Sequence, residues 1–158
     1  MNFKQFTDKT IKDFEIKATE LFDRNFEQQG FFGKKWQHRK NNSDPGRGIL
    51  IGKGSGRLRR SLNNPVRSGN TISWKLDVPY AKIHNEGGTI KTIQSVRAHT
   101  RTVKGKVQKV KAFSRNVNIK MPQRQFIGDH PQLRLELEVI ATRNAKKLIE
   151  DFKAKFKK

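Results

Sequence analysis

From Gly30 to Gly128 the chain carries 22 lysines and arginines against three acids, Asp44, Asp77 and Glu86, a net charge of +19. The flanks differ sharply: residues 1–29 sum to −1 and residues 129–158 to +3, within a total of +21. Between Gly87 and Gly128 there are ten basic residues and no acidic one. Such a block repels itself unless a polyanion, an acidic partner surface or solvent absorbs the charge. The two ends read as ordinary solvated helices, and the middle as a surface built to meet something negative.

A length of 158 residues fits one domain spanning 1–158, and 33% hydrophobic residues allow only a modest core under a large surface. The absence of cysteine excludes disulfides and thiolate metal sites. No apolar run approaches the ~18 residues that a membrane span requires. Met1-Asn2-Phe3-Lys4 opens a charged amphipathic segment with no signal-peptide core. The expectation is a chain made and used in the cytoplasm of the producing cell, or assembled there into something larger.

Hydrophobic spacing predicts a helix over residues 3–29. Ile11, Phe14, Ala18, Leu21 and Phe22 recur at three- and four-residue steps, Phe3, Phe6 and Phe26 lie near the stripe, and Gly30 ends it. Residues 30–48 read as a basic loop closing in a turn at Asp44-Pro45-Gly46. Residues 49–88 are expected to hold a sheet and short helices. Ile49-Leu50-Ile51 is a short apolar run, and Arg57–Leu62 should form one or two helical turns with Leu58 and Leu62 on one side. Val66-Arg67-Ser68 and Thr71–Val78 flank a turn at Gly69-Asn70, with Ile72, Trp74 and Leu76 on the core face. Tyr80–Asn85 reads as a short helix closed by Gly87-Gly88. Asp129-His130-Pro131 offers an N-cap and an early proline for a helix over 129–156. Leu133, Leu135, Leu137 and Val139 alternate like a strand, but the length of the segment favours helix.

One internal repeat lies between these segments. Val96-Arg97-Ala98-His99-Thr100-Arg101 returns fourteen residues later as Val110-Lys111-Ala112-Phe113-Ser114-Arg115. A loop at Lys104-Gly105-Lys106 would fold residues 89–120 into a basic β-hairpin arm whose pairs satisfy i + j = 210. In that register Arg97, His99, Arg101, Lys109, Lys111 and Arg115 share one cationic face, with Lys104 and Lys106 at the tip. An isolated ribbon of this kind is marginal in water and leans on a partner or a polyanion. The competing reading is a solvated basic loop.

Catalytic chemistry is poorly provided for. Gly52-Lys53-Gly54-Ser55-Gly56 lacks the Gly-Lys-Ser/Thr ending of a phosphate loop and reads as a connector. His38, His84, His99 and His130 show no metal-ligand spacing. His84-Asn85-Glu86 hints at a nuclease, yet three acids across the whole middle are too few to hold a catalytic cation or form acid–base pairs. No catalytic residue, metal or cofactor is expected. Trp74 reads as core; Trp36, among Lys34, Lys35, His38, Arg39 and Lys40, either stacks on a nucleobase or anchors its loop.

Three clusters in order resemble the phage virion morphogenesis family, the Mu-like tail-completion or head–tail joining proteins. The first is Trp36 in a basic loop, then Ile49-Leu50 and Gly56-Arg57-Leu58-Arg59-Arg60-Ser61-Leu62. The second, Tyr80-Ala81-Lys82-Ile83-His84-Asn85-Glu86-Gly87-Gly88, looks like the family's Tyr-Ala-x-x-x-Glu/Asn-x-Gly segment. The third, Met121-Pro122-Gln123-Arg124-Gln125-Phe126-Ile127-Gly128, is similar to its Pro-x-Arg-x-Phe-Leu/Ile-Gly signature. The resemblance covers roughly residues 6–150 and marks Gly56, Leu58, Arg59, Ser61, Tyr80, Glu86, Gly88, Pro122, Arg124, Phe126 and Gly128 as structural motif positions.

The resemblance implies a small α+β subunit; with the reading of the residues this gives a small antiparallel sheet packed by N- and C-terminal helices, and a long protruding basic β-hairpin in a region that looks variable in the family. It implies a non-enzymatic tail-completion, tail-terminator or head–tail connector protein, resident in the virion after assembly in the bacterial host cytoplasm. Its partners would be copies of itself in a ring, with a hexamer as candidate stoichiometry, tail-tube and neck proteins, and DNA passing through the lumen; no membrane is involved. The hairpin would face that DNA or clamp a neighbouring subunit. A stand-alone basic nucleic-acid-binding protein is the rival reading.

Overall fold

The computed structural model describes residues 2–40, 44, 46–52 and 56–156. Pro45 of the expected turn and Lys53–Ser55 of the glycine-rich connector lie outside them. Two long helices frame the fold, α1 (Phe3–Gln28) and α4 (Pro131–Phe156). Between them come β1 (Gly30–Phe31), β2 (Lys34–Lys35), α2 (Arg57–Arg60) with a 3₁₀ turn at Ser61–Asn63, β3 (Pro65–Ser68) and β4 (Thr71–Trp74). Then follow α3 (Ala81–Glu86), β5 (Gly88–Val96), β6 (His99–Val103), β7 (Lys106–Val110) and β8 (Phe113–Met121). The fold is α+β. Its strands form four separate two-stranded antiparallel ladders rather than one small sheet. No helix among the described residues is long and apolar enough to cross a membrane.

Helix α1 starts where Asn2 and Gln5 form a reciprocal capping box, each side chain serving the other's backbone. It ends at Gln28, because Gln29 rather than Gly30 takes the left-handed cap at φ 50°. The expected stripe is buried at Ile11, Ala18, Leu21, Phe22 and Phe26, while Phe3 stays 72% exposed. Two asparagines interrupt the apolar faces. Asn25 of α1 is buried near the helix end, and Asn144 of α4 donates to Thr10 Oγ1 at 3.2 Å and Asp13 Oδ2 at 2.9 Å. With Lys17 3.5 Å from Glu136, these contacts run α4 antiparallel along α1.

The segment expected as a loop after α1 contains the β1–β2 hairpin, and Trp36 follows it into the core at 5% exposure. Its ring meets Phe26 edge to face at 5.6 Å, so the indole anchors the loop and offers no stacking face. Leu58 and Leu62 fall on one side as expected, at 2% and 0% exposure. Trp74 is half-buried, edge-on to Phe22 at 5.2 Å, with its Nε1 donating to Thr19. At the start of α4, Pro131 is the first helical residue, but the cap is His130, whose Nδ1 accepts from the Gln132 N–H at 3.1 Å. Asp129 instead pairs with Arg134.

Candidate interaction site

Between β8 and α4 the chain crosses the core from Pro122 to Gly128 with no strand partner, so its buried backbone groups need side chains to satisfy them. Trp36 Nε1 donates to the Gln125 carbonyl at 2.7 Å, and Asn25 Nδ2 to the Phe126 carbonyl at 3.1 Å. Asn85 Oδ1 accepts from the Phe126 and Ile127 N–H groups at 3.0 and 3.2 Å. The Arg124 N–H donates to the His84 carbonyl at 2.7 Å. Phe126, fully buried, packs on Phe26 at 5.2 Å between ring centres. Backbone meets backbone closely here: a Cβ on Gly87 would lie 2.8 Å from the Gln123 nitrogen. The structure thus docks the Tyr80–Gly88 cluster directly onto the Met121–Gly128 cluster.

Arg124 is the unusual member. Its side chain is 6% exposed, and its guanidinium donates to the carbonyls of Gln37 at 2.9 Å and His38 at 3.3 Å. No carboxylate pairs with it among the described residues. Burial, and then the neighbouring Arg39 charge, push its pKa down. Burial, reinforced by Arg124, also pushes His84 below the ordinary imidazole value, and His84 Nδ1 is buried without a hydrogen-bond partner among the described residues. Arg39 itself donates to the carbonyls of Asp44 and Arg47. Arg39, Lys40, Lys120 and Arg124 border a recess of about 610 Å³ whose apolar wall is Ile119, Met121 and Pro122. No acidic residue among the described residues lines it.

The 88–121 region corrects the expected register. Both nested ladders, β5–β8 and β6–β7, pair with i + j = 209, from Gly88↔Met121 to Val103↔Lys106. The loop is therefore two residues, Lys104 and Gly105, both at positive φ (51° and 77°) as a type I′ turn requires. A shift of one moves each cross-strand pair to mixed parity, so the single cationic face does not form. His99, Arg101 and Lys106 share one side of β6–β7, and Lys109 lies on the other, opposite Thr100. Arg97 and Lys111 fall at the unpaired step between the ladders. Arg115 pairs with Gln94 and is hydrogen-bonded to its Oε1 at 2.8 and 3.0 Å.

The other motif positions are structural in placement. Gly56 caps α2. Arg59 makes a fork to Asp23 at 2.5 and 2.6 Å and reaches Glu27 at 2.8 Å; the Asp23 bonds hold its charge firmly in place. Ser61 Oγ donates to the Leu58 carbonyl at 2.7 Å. Gly88 opens β5, Pro122 leaves β8 and Gly128 ends the buried crossing. Tyr80 is exposed and edge-on to His84, and Glu86 is exposed at the end of α3. Sequence reading missed the roles of Asn25, Asn85 and Arg39. For Asn25 a signal existed: a polar residue standing in line with Ala18, Leu21, Phe22 and Phe26. Comparison with known proteins found no matching family model, curated protein or solved structure.

Proposed function

We propose that the chain is a non-enzymatic structural subunit of a phage or prophage particle, a tail-completion, tail-terminator or head–tail connector component that works by assembling into a ring. The observation that carries this reading is the way the resembling motifs converge. Leu58, Ala81 and Phe126, one from each cluster, lie in a single buried cluster. Asn85 and Arg124 tie the second cluster to the third. That convergence gives each motif a structural task, as expected of a scaffold. Of the three acids in the basic middle, Asp44 pairs with Arg47 and Asp77 with Arg57. Such engaged carboxylates suit a scaffold better than a catalytic centre.

On this reading the protein ends up in the virion after assembly in the host cytoplasm, bound to its own copies, to tail-tube or neck proteins, and near DNA in the lumen. The exposed cations on both sides of the nested ladders favour one second reading, a stand-alone nucleic-acid binder, whose affinity would fall steeply with salt. Mass photometry with negative-stain imaging of nucleic-acid-free protein, across concentration and salt, separates the two. Closed rings, free or on tail-tube ends, are expected. A persistent monomer that caps no tail tube and binds duplex DNA with a steep salt slope would overturn the structural reading.

A further inference from the structure

Strand β8 meets β5 along one edge only, because their ladder has two strands. Outside that ladder, no backbone N–H or carbonyl of Phe113–Met121 finds a partner among the described residues. An edge left unpaired in this way is a template for an incoming strand. The basic recess beside Arg124 opens on it. Ile119, Lys120 and Met121 line the recess, whereas Ile90, Thr89 and Gly88, their partners in β5, do not. Residues from both sides of the pleat take part, as they do at the edge of a strand and not on one of its faces. The opposite wall is the irregular stretch 37–40, and Arg124 joins the two walls through its bonds to the Gln37 and His38 carbonyls. The space of about 610 Å³ between them suits a few residues of an extended chain.

Two chemistries meet in this recess. Arg39, Lys40, Lys120 and Arg124 supply positive charge with no acid among the described lining residues, and the buried Arg124 guanidinium has carbonyls but no carboxylate beside it. Ile119, Met121 and Pro122 supply aliphatic surface. On β8 the two kinds alternate, with Ile119 and Met121 on one side of the pleat and Lys120 on the other. A strand laid beside β8 sets its own alternate side chains against these two sides. The complementary segment therefore alternates apolar and acidic residues. Nucleic acid matches less well. The described lining residues include no Phe, Tyr or Trp on which a base could stack, and a sugar–phosphate chain has no row of N–H and carbonyl groups for a strand edge.

We propose that the recess and the outer edge of β8 dock an extended peptide segment of a partner protein, alternating acidic and apolar residues, as a third strand of the β5–β8 ladder. Backbone pairing supplies the affinity, and the alternating side chains set the register. The contact does not depend on ring assembly and goes beyond the structural role proposed above.

The test uses the full-length protein and a fluorescein-labelled probe, Leu-Glu-Val-Glu-Leu-Glu, read by anisotropy at about 0.15 M salt, where long-range attraction is screened. Saturable binding with a Kd below about 1 mM is expected. A version with Gln for every Glu, and a block arrangement of the same residues, Leu-Leu-Val-Glu-Glu-Glu, should each bind about tenfold more weakly. Lys40→Glu with Lys120→Glu, at exposed positions, should weaken the probe by a similar factor. Lys106→Glu with Lys109→Glu removes the same charge from the β6–β7 ladder and should change the Kd less than about threefold. Circular dichroism checks that both variants fold; should one fail, the two altered probes carry the test alone. Bound probe should slow amide exchange at alternate residues within 117–121. The proposal is overturned by a wild type that does not bind, by a block peptide that binds equally well, or by equal loss in the two variants. Binding that leaves exchange in β8 unchanged overturns it too. A short thymidine single strand that binds where the peptide does not, and is lost with Lys40→Glu and Lys120→Glu, would assign the recess to nucleic acid instead.

Discussion

Replacing Asn25 with alanine tests the central claim about how the buried crossing is held. The Asn25 amide joins two distant stretches of backbone: Nδ2 donates to the Phe126 carbonyl at 3.1 Å, and Oδ1 accepts from the Phe32 N–H at 3.0 Å. Alanine leaves both without a partner. A buried polar group stripped of its hydrogen bond costs about 1–3 kcal/mol. The Phe126 carbonyl is buried and takes the full range; the Phe32 N–H is part-buried and stands near its low end. Alanine's better helix propensity returns about 0.5 kcal/mol. The net loss is about 1.5–3.5 kcal/mol, a large share of the ~5–15 kcal/mol that holds a domain together. At this chain length each kcal/mol lowers the melting temperature by about 2–4 °C, so a fall of about 3–14 °C is expected. Thermal melting followed by far-ultraviolet circular dichroism reads it directly, and the urea midpoint should fall with an unchanged slope. Asn116→Ala, at an exposed position of β8, is the control and should stay within about 0.5 kcal/mol. A fall below about 2 °C, indistinguishable from that control, would refute the role assigned to Asn25.

Other outcomes follow from single features. Gly87→Ala places a Cβ 2.8 Å from the Gln123 nitrogen at φ +75°, so the two backbones must separate; a loss of about 1–3 kcal/mol is expected in urea unfolding, and a wild-type midpoint would show that the approach is not rigid. Because burial lowers the His84 pKa, the unfolded chain binds more protons between that lowered value and the ordinary ~6.5. Stability is therefore full above pH ~6.5 and falls as pH drops through that window, and His84→Gln should flatten the change in urea midpoint between pH 7.5 and 5.5. Identical pH dependence in both proteins would count against the buried neutral imidazole. Gly105→Val disturbs a turn at φ +77° with open space around it, so the cost is conformational, roughly 1 kcal/mol. Amide exchange should quicken across His99–Val110 while the melting temperature holds; unchanged exchange would contradict the two-residue turn.

The helices were legible in the sequence because their information is local. The Ile11–Phe26 stripe, the Leu58/Leu62 spacing and the Ile72/Trp74/Leu76 alternation each record one buried face, and each lies where its periodicity places it. Register was not legible. Lys104-Gly105-Lys106 permits a loop centred on Gly105 or one formed by Lys104 and Gly105, and only the left-handed backbone at Lys104 decides between them. That one-residue difference redistributes every cation, so the cationic face vanished while the basic composition stayed. The backbone partners of Trp36, Asn85 and Arg124 were hidden for another reason. Their bonds span 41 to 89 residues, and nothing in local spacing reports such distances. Arg124 was marked only by resemblance, which cannot tell a buried, carboxylate-free guanidinium from a surface one.

The long reach between Asn25 and Phe126 has a consequence during synthesis. The two residues that meet are 101 positions apart, and the apolar side of α1 has Phe126 and α4 as part of its cover. At about 5–20 residues per second, a ribosome needs roughly 5–20 s to supply that cover after α1 is complete. During that interval Leu21, Phe22 and Phe26 have Trp36 and Trp74 to pack on but lack Phe126 and α4, beside a growing polycation. The chain cannot mature from its beginning forwards: its first helix waits for Phe126 and α4 to complete its cover, and any pause in translation before Phe126 prolongs the time in which chaperones or aggregation partners compete for it.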